Sequence, residues 1–139
     1  MEKKFILTDK FVINSFGIKL FQIKCTKSFK YAQEGDLGGY IEKEDNLSQE
    51  GNAWVYDNAW VYGDAWVYGD ARVYDNARVF DNARVYDYAR VYGYARVFDN
   101  ARVFDNARVF DNAMVYGDSR VYGNDIVSGY NDIENGNKH

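Results

Sequence analysis

Residues 52–129, broken in sixes from Asn52, read NAWVYD NAWVYG DAWVYG DARVYD NARVFD NARVYD YARVYG YARVFD NARVFD NARVFD NAMVYG DSRVYG NDIVSG. These are thirteen hexads without an insertion. Alanine holds the second slot from Ala53 to Ala113, and valine holds the fourth from Val55 to Val127. A helix of 3.6 residues per turn would smear a six-residue period around its surface. In an extended chain, where side chains alternate, the same slot always returns to the same side. Ala and Val therefore share one face. Arg or Trp, followed by Tyr or Phe, shares the other. The Asp-Asn and Gly-Asp pairs between hexads are corner chemistry, because Gly, Asn and Asp tolerate turn dihedrals. Each hexad is one short strand and one corner, a unit that buries a face only by coiling and stacking on its neighbours.

The spacing of Val73 to Ala77 and of Val79 to Ala83 resembles the hexapeptide-repeat family of left-handed parallel β-helices, in which an aliphatic residue is followed four places later by a small one. The residue after the aliphatic one is Tyr or Phe here, where that family has a small or acidic residue. The resemblance implies an all-β, left-handed parallel β-helix with three hexads per coil. At about 4.8 Å per stacked strand, such a prism is about 20 Å tall. Residues eighteen apart then lie above one another. One wall stacks Trp54, Arg72, Arg90, Arg108 and Ile126. The second stacks Trp60, Arg78, Arg96 and Met114, and the third Trp66, Arg84, Arg102 and Arg120. Parallel columns carry rings, for example Tyr62, Phe80, Phe98 and Tyr116. Guanidinium groups beside rings are expected to stack on them, and corner acids such as Asp70 and Asp75 to lie near Arg72.

The charge is segregated. Net charge is −4; all eight Arg lie between Arg72 and Arg120, and eight of nine Lys precede residue 44. Cys25 is the sole cysteine, which excludes a disulfide framework and a paired-Cys metal site. No apolar run approaches membrane-spanning length, and the N-terminal MEKKFILTDK lacks a signal-peptide core. These features point to a reduced, cytoplasmic protein with no membrane segment.

Residues 1–40 read as an N-terminal β cap. Phe5–Leu7, Phe11–Ile13 and Ile18–Ile23 are strand-like, and residues 35–40, GDLGGY, are a loop. Such a cap is required, because the open end of a solenoid exposes unpaired backbone groups. Residues 41–51 read as an irregular first coil, with Ile41 and Leu47 twelve and six residues before Ala53 in the alanine phase. Residues 52–135 form the β-helix and 136–139 a disordered tail. Trp54, Trp60 and Trp66 fall one per wall in the first regular coil. They either pack under the cap or form a belt for a partner. At the far end Ser119, Asp125 and Asn131 take the inward slot, so the bore closes or frays there. The stretch from Gly35 onward, with its GDLGG loop and AxVYG-type repeats, is also similar to a group of small bacteriophage and prophage proteins. That likeness implies a mobile-element origin.

Catalytic chemistry is scarce. His139 is the only histidine, so neither a Ser-His-Asp nor a Cys-His arrangement can be assembled from elsewhere in the chain. No catalytic, cofactor or metal site is expected, which sets the chain apart from the acyltransferases of the resembled family. A degenerate acyltransferase is one alternative and a self-assembling structural solenoid another. The expected function is non-enzymatic binding of a protein partner. Candidate contact residues are Trp54, Trp60, Trp66, Arg72, Arg78, Arg84, Arg90, Arg96, Arg102, Arg108, Tyr88 and Tyr94. The phage-type resemblance points to a host factor as partner, such as a CRISPR effector of antiviral defence. Met114, Ile126, Val127, Tyr130 and Ile133 are candidates for self-association into a homodimer through the C-terminal coil. Arg beside rings is also the composition of a single-strand nucleic-acid platform. The acidic balance of the solenoid and the carboxylates expected beside each Arg weigh against it.

Overall fold

The computed structural model describes residues 3–134 and the backbone of Asn137–Lys138. Each hexad contributes one strand, from β4 (Trp54–Val55) to β16 (Ile126–Val127). Strands pair in parallel with the strand one coil away: Arg72 lies opposite Arg90, Arg90 opposite Arg108, and Arg108 opposite Ile126. Three sheets result, five strands each for the Trp54 and Trp66 walls and eight for the Trp60 wall. The chain is an all-β parallel solenoid. Every repeat Ala and Val points into the bore and is buried. Each buried Val contributes roughly 1.5–3 kcal/mol. Backbone bonds close the ladder between coils; Arg90 N donates to Ala107 O at 3.0 Å and Tyr92 N to Val109 O at 2.9 Å.

The corners explain the Asp-or-Gly choice at the sixth slot. Every such residue described there has a left-handed backbone, with φ of 57° to 59° for Asp and near 66° for Gly. Short polar residues enter that region at lower cost than other L residues. Asp adds a bond between coils. Asp75 Oδ2 accepts the Gly93 N–H at 3.1 Å, Asp99 Oδ2 that of Gly117 at 2.9 Å, and Asp105 Oδ2 that of Gly123 at 3.0 Å. Replacing Asp99 by Ala forfeits this bond and strains φ, whereas Asp99→Gly forfeits only the bond. Urea unfolding should find the alanine variant about 1–2 kcal/mol less stable than the glycine variant. Equal stabilities would remove the strain argument.

The cap continues one wall and folds over the bore. β1 (Phe5–Ile13) pairs antiparallel with β2 (Lys19–Cys25), β2 with β3 (Leu37–Ile41), and β3 runs parallel to Trp60–Val61. The expected loop at residues 35–40 is thus mostly strand. Its glycines serve close approach: a Cβ on Gly39 would stand 2.8 Å from Ala59 O. The first coil is also out of the expected phase. Ile41 lies opposite Val61 and Leu47 opposite Val67, so they take the valine place, not the alanine one, and the coil carries two extra residues. Gln49, in that extra length, clasps β1. Its Oε1 accepts the Lys4 and Phe5 N–H groups at 2.8 and 3.1 Å, and its Nε2 donates to Phe5 O at 3.0 Å.

Polar side chains satisfy the end carbonyls that the cap strands leave unpaired. Asn46 Nδ2 donates to Ala65 O at 2.9 Å, and Lys4 Nζ donates to Ala53 O at 2.7 Å. Burial holds the Lys4 ammonium down at a pKa of about 8, against an ordinary 10.5. Between those pH values the unfolded chain binds a proton that the fold does not, so this group makes stability rise with pH over that window. Burial pushes the Cys25 thiol and the Tyr56, Tyr68 and Tyr74 phenols up, so they make stability fall as alkaline pH ionises the unfolded chain first. The difference in urea midpoint between wild type and Lys4→Met isolates the lysine. It should grow in favour of the wild type from pH 8 to 10, and a flat difference would contradict the assignment.

At the far end β17 (Asp132–Glu134) extends the Trp60 wall, and β18 (Asn137–Lys138) pairs with Arg120–Val121. The expected disordered tail, 136–139, otherwise lies outside the described residues. The inward polar residues grade from core to surface. Ser119 is buried, with its hydroxyl 2.7 Å from Tyr116 O, while Asn131 is exposed. No helix of the described residues is long and apolar enough to cross a membrane.

Candidate functional site

Outward slots build the three walls. The third slot of the hexads gives an Arg column in register, and the fifth gives a ring column. The rings stack on one another: Tyr56–Tyr74–Tyr92–Phe110, Tyr62–Phe80–Phe98–Tyr116 and Tyr68–Tyr86–Phe104–Tyr122. Centroids are 4.8–5.4 Å apart and planes within 10°. Ring faces between coils are therefore used inside each column. The phenols of Tyr56, Tyr62, Tyr68 and Tyr74 are pushed up chiefly by burial. That of Tyr116 is pushed up first by the Glu134 carboxylate.

Two expectations about the Arg columns are corrected by this geometry. The guanidinium groups do not stack on the ring columns. Among the described residues Arg78 lies over Trp60 at 4.0 Å and Arg72 over Tyr31, a cap residue, at 4.4 Å. Nor do the corner acids pair with Arg. Among the described residues the ion pairs are Lys3–Glu44 and Lys43–Asp64, and neither involves a wall Arg. The sixth-slot carboxylates turn along the prism edge toward the next coil's backbone instead, while Asp64 pairs with Lys43 and Asp70 accepts the Asn52 amide.

The tryptophans separate. Trp54 is 2% exposed, packed edge-on against Phe5 and Phe29, and belongs to the core under the cap. It cannot meet a partner, because cap and bore enclose it. Trp60 is half-buried on its wall, and Trp66 is exposed and stacked on Tyr68 at 3.9 Å. Of the Arg candidates, Arg84, Arg96 and Arg108 are exposed, while Arg72, Arg78, Arg90 and Arg102 are half-buried. Tyr88 and Tyr94 are exposed corner residues flanking one hexad. In the self-association set, Val127 is buried in the bore opposite Val109, which removes it from any surface. Ile126 and Tyr130 are exposed; Met114 and Ile133 are half-buried.

Two cap features escaped the sequence. Lys30 and Tyr31 overhang the Trp54 wall and with Arg72, Tyr88, Arg90 and Arg108 line a groove of about 350 Å³. The turn Asn14–Phe16 overhangs the Trp60 wall, with Phe16 exposed. Neither segment is in the hexad phase, so no periodicity could place it against a wall.

The family model of the YdcK beta solenoid repeat matches residues 53–69, 71–87, 77–93, 95–109 and 107–123. Each match begins on an inward alanine, so the starts are multiples of six apart. No curated protein matches the chain. With those matches laid over three parallel sheets, this chain is a β-solenoid repeat protein whose repeats are similar to the YdcK beta solenoid repeat.

Proposed function

We propose that the chain is a non-enzymatic binding protein that presents rigid Arg/aromatic walls to a protein partner. The supporting observation is the state of the Arg columns. They stand in register on a stiff scaffold, and none of the described ion pairs satisfies them. A scaffold of this kind orders little on binding, so few contacts are needed for useful affinity. The likeness to phage and prophage proteins makes a host defence factor in the bacterial cytoplasm, such as a CRISPR effector, the first partner class to test. The same likeness to hexapeptide-repeat proteins gives the coil a left hand in this reading. A pull-down from bacterial lysate should retain a discrete protein and lose it with Arg90→Glu plus Arg96→Glu. Retention of nothing, or retention untouched by both charge reversals, defeats the reading. The rival, a degenerate acyltransferase, requires an acyl-CoA thermal shift. A second reading rests on exposed Ile126 and Tyr130 at the last coil: a homodimer through that end. Light scattering showing a monomer at high concentration would dismiss it.

A further inference from the structure

The walls are not equivalent. The groove on the Trp54 wall collects four cations, Lys30, Arg72, Arg90 and Arg108, with Tyr31 and Tyr88, and among the described residues no carboxylate lines it. The three Arg lie directly opposite one another in parallel register. Like charges so placed destabilise a sheet unless an anion sits between them. The acids on the bordering edges are engaged by the scaffold. Asp57, Asp75 and Asp111 on one edge, and Asp87 and Asp105 on the other, each accept a backbone N–H from the next coil at 3.0–3.3 Å. Asp70 Oδ1 accepts the Asn52 amide at 2.8 Å. Tyr88 replaces the Asn or Asp of most hexads at the corner beside the Arg column. The Trp66 wall differs: its corner residues include Asp64 and Asp118, and the groove beside Trp66 is lined by Glu44, Asp45 and Asp64.

We infer that the Trp54 wall is the docking face and that its occupant is an acidic, extended polypeptide segment lying along the Arg72–Arg90–Arg108 column. This rests on the protein-binding reading above and names its wall and ligand chemistry. Planar guanidinium groups bind carboxylates by paired, charge-assisted hydrogen bonds, and an extended segment keeps its acidic side chains free to reach them. Single-stranded nucleic acid offers anions too, but it gains affinity by stacking bases on exposed ring faces. The column rings Tyr56, Tyr74, Tyr92 and Phe110 of this wall stack on each other and the Tyr31 face is covered by Lys30 and Arg72, which leaves Tyr88 as a single exposed ring rather than a run of them. The acidic edges on both sides also confine the ligand to a narrow track.

The probe is a short fluorescein-labelled Glu/Asp peptide read by anisotropy, with single-stranded oligothymidylate of equal charge alongside. The peptide should bind the wild type more tightly than the oligonucleotide does, and binding should weaken about tenfold with Arg90→Gln plus Arg108→Gln, the loss of about 1.4 kcal/mol. Lys10→Gln plus Lys24→Gln removes the same charge from the cap and should change binding by less than about twofold. Arg108→Gln alone, at an exposed site, should give a partial loss and serves if the double variant does not fold. No peptide binding, equal loss in the Lys10/Lys24 variant, or tighter oligonucleotide binding overturns the inference. A lysate partner that survives Arg90→Gln plus Arg108→Gln but is lost with Arg78→Gln plus Arg96→Gln overturns only this wall assignment. Absence of any lysate partner overturns the binding reading itself.

Discussion

Val91→Asp should abolish the cooperative fold at neutral pH. Val91 lies at the middle level of its wall, fully buried, paired below with Val73 and above with Val109. Its neighbours in the bore are Val and Ala, which offer no hydrogen bond to a carboxylate. The substitution loses roughly 1.5–3 kcal/mol of apolar burial and adds the cost of an unpaired buried charge, several kcal/mol after relaxation. Together these approach the roughly 5–15 kcal/mol that holds a typical domain folded. Every Arg and ring column passes through that level, so the loss propagates to both neighbouring coils. Far-UV circular dichroism and urea titration should show no native baseline at pH 7, with partial recovery near pH 4 where the carboxyl is neutral. The same change at Val127, in the last coil, should cost less, because a terminal unit frays without breaking the rest. A wild-type melt for Val91→Asp would mean that the bore is not a sealed core.

Gly38→Ala should dislodge the cap. A Cβ there would stand 2.6 Å from Val55 O, 2.7 Å from Ile23 Cγ1 and 2.9 Å from Trp54 Cζ2. The nearest obstacle is backbone of β4, which is hydrogen-bonded into its own wall and cannot retreat. β3 must move instead, carrying β2 and the Phe5–Trp54 packing with it. A loss of about 3 kcal/mol or more is expected, at the upper end for overpacking. The uncovered strand edges should also make the variant self-associate. Thermal melts and concentration-dependent light scattering check both effects. Gly123→Ala is the control: its Cβ meets nothing within 4 Å, although its φ is +66°. It should cost only about 1–2 kcal/mol of backbone strain and leave the protein monodisperse.

The solenoid was legible because its signal is local and repeated. A six-residue return of Ala and Val admits few packings, and the predicted columns Trp54–Arg72–Arg90–Arg108–Ile126 and Tyr62–Phe80–Phe98–Tyr116 are found in register. The side-chain partners were not legible. Distance along the chain put Asp70 and Asp75 beside Arg72, but Asp70 accepts the Asn52 side-chain amide of the preceding coil, and the left-handed corner at Asp75 turns its carboxylate toward the coil above, where the Gly93 N–H competes successfully. Arg and ring columns were expected to mix; at a strand repeat of about 4.8 Å, flat rings stack on their own kind at nearly that spacing. Trp54 and Trp66 looked equivalent by period and differ because the cap closes over one side of the end. The cap itself is held by contacts of long sequence separation, such as Gln49 with Phe5 and Tyr31 with Arg72. No local pattern records those contacts, and they are the ones that make the walls unlike one another.

Paired cysteines test the eighteen-residue coil most directly. In a Cys25→Ala background, Arg84→Cys with Arg102→Cys places two thiols on directly paired neighbouring strands. Strands about 4.8 Å apart bring their Cα atoms within disulfide range. Arg84→Cys with Arg96→Cys, twelve residues apart, places them on different walls. Mild oxidation should close the first pair rapidly within one chain and leave the second open. Equal closure of both pairs, or closure of the second alone, would contradict a three-sided column.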